Sequence, residues 1–85
     1  MRIQTTAPFD RDFAVLPVTI QQRVEKQFRL LTENPRHSSL RLKKMEDPRD
    51  IWEGRVTQSY RFTFQIVGDL YLLRRIGTHD ILRRP

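Results

Sequence analysis

The stretch DIWEGRVTQSYRFTFQ, residues 50–65, alternates apolar and polar side chains on both sides of a short polar break. A two-residue period belongs to extended chain, whose successive side chains point to opposite faces, and it does not fit a helix. The break at Gln58-Ser59 turns the two halves into an antiparallel hairpin. Parity sorts the side chains: Trp52, Val56, Tyr60, Phe62, Phe64 and Ile66 face a core, while Glu53, Arg55, Arg61, Thr63 and Gln65 face away. A slip of one residue would bury Arg61 and expose Phe62, so the register is tightly held. A third strand, LYLLRRI, follows a turn at Gly68-Asp69, with Leu70 and Leu72 expected inward and Tyr71 on the polar face, where its ring is free to stack a base.

The remaining elements follow from their own signals. RIQTT, residues 2–6, reads as an opening strand, APFD as the break after it, and residues 10–16 as a short helix. Pro17 is placed as the first residue of a second helix, where a missing N–H costs nothing. Ile20, Val24, Phe28 and Leu31 step along one face of that helix, which stops at Asn34 because the residue before Pro35 avoids helical geometry. LRLKKM, residues 40–45, is expected as a strand with Leu40 and Leu42 inward. Helices followed by a run of strands predict an α+β fold, the helices covering one face of an antiparallel sheet whose other face is open to solvent. At 85 residues the chain has room for a single domain, 1–85.

Composition narrows the chemistry. With no cysteine and two well-separated histidines, the chain carries no disulfide framework, no thiolate nucleophile and no metal-ligand cluster. There is no glycine-rich phosphate loop, and no cofactor is implied. The N-terminal MRIQTTAPFDRDF lacks the apolar run of a secretory signal, and nothing approaches a membrane span, so a cytoplasmic protein is expected. Sixteen Lys and Arg against ten Asp and Glu leave a net charge of +6, which favours polyanionic partners.

The polar face of the hairpin has two readings. One is a cross-strand ion pair on a wet sheet, worth about 0.2 to 1 kcal/mol. The other is a phosphate site, since arginine binds phosphodiesters bidentately and stabilises charge that develops on them. His79, in RRIGTHDIL, lies just beyond the third strand and is the residue type that moves protons near neutral pH. Arginine, histidine and glutamate together can cleave RNA by activating the 2′-hydroxyl and protonating the leaving oxygen. RHSSLRLKK and LRRP add basic stretches suited to phosphate contact.

In LPVTIQQRV, NPRHSSLRLKKM, DIWEGRVTQSYRFTFQI and LLRRIGTHDIL, nearly the whole chain resembles the RelE/ParE superfamily of type II toxin–antitoxin toxins. SYRFTFQI is similar to the tyrosine-arginine strand of the RelE branch, and GTHDIL to the closing motif of its YafQ-like members. The resemblance implies a microbial-RNase-like fold, two N-terminal helices packed on an antiparallel-dominated sheet of four to five strands. It further implies a bacterial toxin that cleaves mRNA in the ribosomal A site, blocks translation, and is held by a cognate antitoxin in a hetero-oligomer. On that resemblance Arg61 and His79 match catalytic positions, and Glu53 and Arg55 stand where RelE has two lysines. The general base is then Glu53 or His79. Arg55, Lys43, Lys44, Arg41, Arg75 and Tyr71 are the expected RNA contacts, and Arg61→Ala is expected to abolish activity without unfolding the chain. The sequence departs from several mRNA-cleaving members in ending LRRP without a terminal aromatic. The ParE branch shares the fold, lacks the catalytic set and poisons DNA gyrase, which is the alternative reading. An inactive orphan member is the third.

Overall fold

The computed structural model describes residues 1–85. Strand β1 (Arg2–Thr5) leads through Thr6 into helix α1 (Ala7–Ala14), and α2 (Val18–Glu33) follows. A 3₁₀ turn (Ser38–Leu40) precedes β2 (Lys43–Lys44), β3 (Trp52–Arg55), β4 (Tyr60–Val67) and β5 (Leu70–Thr78), and a second 3₁₀ segment (His79–Arg83) ends the chain. The five strands form one sheet in the order β1-β5-β4-β3-β2. β1 is parallel to β5 and every other neighbour is antiparallel. This is the α+β architecture expected, two helices on one face of a mostly antiparallel sheet. No helix is long and apolar enough to cross a membrane.

Three local expectations need correction. Helix α1 starts at Ala7, three residues earlier than expected, because the Thr6 side chain caps it by accepting from Phe9 N and Pro8 is tolerated in the first turn. Pro17 is the cap of α2 and not its first residue. Residues 40–45 are not one strand: Leu40 closes the 3₁₀ turn and only Lys43 and Lys44 pair with β3.

The core lies between α2 and the sheet. Val24 and Leu31 of α2 are buried against Phe62 and Phe64 of β4, and the Phe28 ring meets Phe62 edge-on at 5.2 Å. The face of β5 is the reverse of that expected: Tyr71, Leu73 and Ile76 are buried, whereas Leu70 and Leu72 are only partly covered. The tight turn at Gly68-Asp69 pairs Val67 with Leu70 and Ile66 with Tyr71, so an even position faces an odd one and the parity of β4 does not carry across. A bulge between Thr63 and Phe64 then shifts the register, pairing Phe62 with Ile76. Ile66, expected in the core, extends past the helices and is 49% exposed.

The second face is less open than its polar character implies. The C-terminal 3₁₀ segment folds back over β4 and β5 and buries Ile81, and a Cβ at Gly77 would lie 2.9 Å from Ile81 Cγ2. Beneath this segment Thr63 is fully buried.

Candidate functional site

Register gathers the charged residues of the second face. Arg55 stands directly opposite Arg61, Glu53 opposite Thr63 and next to Lys43 of β2, Arg61 opposite Gly77, and Thr63 opposite Arg75. Two arginines facing each other across a strand pair repel, so the arrangement needs compensation.

Arg61 obtains it from the turn that precedes it. The residue is buried, and its Nη1 donates to the carbonyl oxygens of Thr57 (2.8 Å), Gln58 (2.9 Å) and Tyr60 (3.1 Å). Thr57 Oγ1 in turn accepts from Ser59 N and Tyr60 N, both at 3.2 Å, which stiffens the turn. Burial lowers the Arg61 pKa, as does the charge of Arg55; Glu53 opposes the shift and Arg41 adds to it. The guanidinium stays cationic because arginine starts so far above neutrality. Its Nε and Nη2 make no protein hydrogen bond, yet Thr63 Oγ1 is the only buried side-chain polar atom without a partner. The guanidinium is therefore anchored through Nη1 alone, and the donors of Nε and Nη2 are left without a protein acceptor.

The other expected site residues divide. His79 is exposed and opens the C-terminal segment one residue past Thr78, which pairs with Tyr60 at the strand end where the Arg61 turn lies. Glu53 is half-buried beside Arg55, and Arg41 is exposed in a left-handed conformation at φ 44°. Lys43 shares the face of Glu53. Lys44 pairs with Trp52, on the opposite face, and its Nζ lies 3.1 Å from Asp50, so it is not part of this cluster.

Tyr71 is corrected outright. It is 6% exposed and its ring meets Phe64 edge-on at 5.5 Å, so it packs the core and cannot stack on a base. Arg75 is present on the face but is committed: its Nε lies 2.6 Å from Asp12 Oδ2 and its Nη2 3.3 Å from Asp12 Oδ1, while Nη1 donates to Arg84 O. The Asp12 hydrogen bond raises the Arg75 pKa. The same carboxylate accepts from Ile76 N, closing the edge of β5 beyond the short β1. No group of three His, Asp or Glu side chains converges anywhere in the chain.

Two features escaped the sequence reading. Gln27 is 3% exposed and its Nε2 donates to Arg55 O at 2.9 Å, tying α2 to β3. Its position one turn from both Val24 and Leu31, on the apolar stripe, was the available signal. Asp12 had none, since its partners lie more than sixty residues away.

Two helices on one face of a five-stranded, mostly antiparallel sheet is a fold this chain shares with solved RelE/ParE-like toxins. YafQ from E. coli matches over 94% of both chains with a TM-score of 0.77 at 15% identity. The YoeB/ParE toxin from Agrobacterium tumefaciens matches 93% of this chain and 99% of its own, with a TM-score of 0.78 at 14% identity. The archaeal RelE-RelB complex from Pyrococcus horikoshii contributes a chain with a TM-score of 0.74 at 15% identity, covering 91% of this chain and 92% of that one. At such identities the likeness speaks to the fold. No protein-family model matches the sequence, and no curated protein matches it.

Proposed function

We propose that this protein is the toxin of a type II toxin–antitoxin module and cleaves mRNA on the ribosome in the bacterial cytoplasm. The observation that carries this reading is the Arg61 guanidinium, anchored through Nη1 with Nε and Nη2 unpaired, on a strand position directly opposite Arg55. A fork held by its turn needs little reorganisation to stabilise the charge that builds on a phosphate during attack by the 2′-oxygen. In this scheme the 2′-hydroxyl gives its proton to a base, its oxygen bonds to phosphorus, and the 5′-oxygen of the next nucleotide leaves with a proton. His79 and Glu53 are the two groups able to supply base and acid, and Arg55 with Arg41 and Lys43 holds the backbone. The partner is a cognate antitoxin, as in the solved E. coli DinJ-YafQ toxin-antitoxin complex, whose YafQ chain shares this fold.

The test is primer-extension mapping of a reporter mRNA after brief induction of the wild-type chain, Arg61→Lys and His79→Ala. Lysine can still donate to the turn carbonyls but presents no fork. Cuts within translated codons that disappear in both variants support the reading. Growth arrest with intact mRNA and inhibited gyrase supercoiling would replace it with a gyrase-directed toxin.

A further inference from the structure

A second cationic site lies around the edge of the sheet from Arg61. α2, the Ser38–Leu40 turn and the end of β3 enclose a cleft of about 380 Å³, into which Arg23, Lys26, His37, Arg41 and Arg55 converge without a single carboxylate. The four ion pairs of the protein involve none of these five residues. Gln27 sets the width of the cleft from below, donating to Arg55 O at 2.9 Å and to Ser39 O at 3.4 Å, so its walls belong to three elements stapled together. Arg41 enters from a left-handed backbone, a conformation that costs a residue other than glycine about 1 kcal/mol. His37 Nδ1 accepts from Ser39 N, which leaves Nε2 as the N–H donor of that ring.

The larger arginine-lined cleft, at the C-terminal segment, differs in kind. Of its five arginines, Arg49 is paired with Asp47 and Arg75 with Asp12, while Arg74 donates to Gln65 Oε1 and Pro85 O. Those side chains hold the fold, whereas the cations around Gln27 are unspent.

We propose that the cleft between α2 and the Ser38–Leu40 turn is a second phosphodiester-binding site, which grips the backbone of single-stranded RNA at a phosphate away from the one facing Arg61. The proposal deepens the ribonuclease reading and rests on it for the class of ligand. Arg55 belongs to both places, lining the cleft and standing opposite Arg61, so the two form one continuous cationic path. No Phe, Tyr or Trp lines the cleft, which fits recognition of backbone charge more than of bases. The cleft therefore adds affinity that depends on RNA length and salt, with no preference for sequence.

The test is fluorescence-anisotropy binding of 2′-O-methyl RNA, which cannot be cut, as a dodecamer and as a trinucleotide, to the full chain over a salt series. Arg23→Gln with Lys26→Gln changes two exposed helix positions and leaves Gln27 in place. This double variant is expected to weaken dodecamer binding about tenfold and to lower the slope of log K against log salt by about 1.4, two phosphate contacts at about 0.7 each. The trinucleotide, which offers far fewer phosphates than the dodecamer, is expected to lose much less on the same change. Arg11→Gln with Arg29→Gln removes the same charge from exposed helix positions outside the cleft and is expected to do less. Equal losses in the two double variants would reduce the effect to net charge and overturn the proposal, as would unchanged dodecamer binding in the α2 variant. Because no cleavage is read, intact mRNA in cells combined with the expected binding pattern would sink the ribonuclease reading and leave this site standing. Cleaved mRNA with unaltered binding would do the reverse.

Discussion

Arg61 Nη1 lies 2.8 Å from the carbonyl oxygen of Thr57, so the guanidinium facing the proposed substrate also holds together the turn between β3 and β4. Binding and folding share this one side chain. Its substitution therefore cannot be read as a loss of chemistry alone, and Arg61→Ala is expected to disturb the fold that the sequence reading left untouched.

Arg61→Ala leaves three turn carbonyls without their donor and is expected to cost about 2 kcal/mol in urea unfolding. Arg61→Lys is expected to recover at least half of that loss while remaining unable to cleave. Equal stability of the alanine variant and the wild type would show that water replaces the guanidinium at no cost.

Asp12→Ala strips Arg75 of its ion pair and Ile76 N of its acceptor, at an expected cost of about 2 kcal/mol. Asp12→Asn keeps an oxygen for Ile76 N and is expected to lose about half as much. Hydrogen exchange at Ile76 reports the difference, rising strongly in the alanine variant and little in the asparagine one.

The Asp47 carboxyl is held down to about 2, chiefly by the Arg49 side chain and then by the Arg49 backbone N–H. Its folded value lies below its ordinary one of 3.8, so the stability it contributes is present above about pH 4 and is lost as pH falls towards 2. Asp47→Asn is expected to flatten that part of the acid limb of a stability profile and to leave its slope above pH 5 unchanged.

Gly54 lies against the ring of Phe62, and a Cβ there would fall inside the ring's van der Waals surface. Gly54→Ala is expected to cost about 3 kcal/mol or more, measured as a lowered thermal midpoint, because Phe62 is fully buried and has no room to move. Gly68, whose φ is 60° and whose surroundings are open, is expected to lose less on the same change, through backbone strain alone.

What the sequence determined by itself was the central hairpin: Phe62 and Phe64 inward, Arg55 and Arg61 outward, with Val24 and Leu31 on the buried stripe of α2. These are periodic patterns, set by the geometry of a single strand or helix and readable without any partner. The two-residue turn at Gly68-Asp69 already implied that Tyr71 lies across from Ile66, and carrying the parity of β4 through that turn is what misplaced it. Tertiary structure alone decided the rest. It folded the C-terminal segment over Gly77, brought Asp12 to Arg75, and closed Arg23 and Lys26 against Arg41 and Arg55. Asp12 and Arg75, and the α2 cations and Arg41 and Arg55, lie far apart in the chain, and all of these encounters depend on how elements pack, about which a local period carries no information.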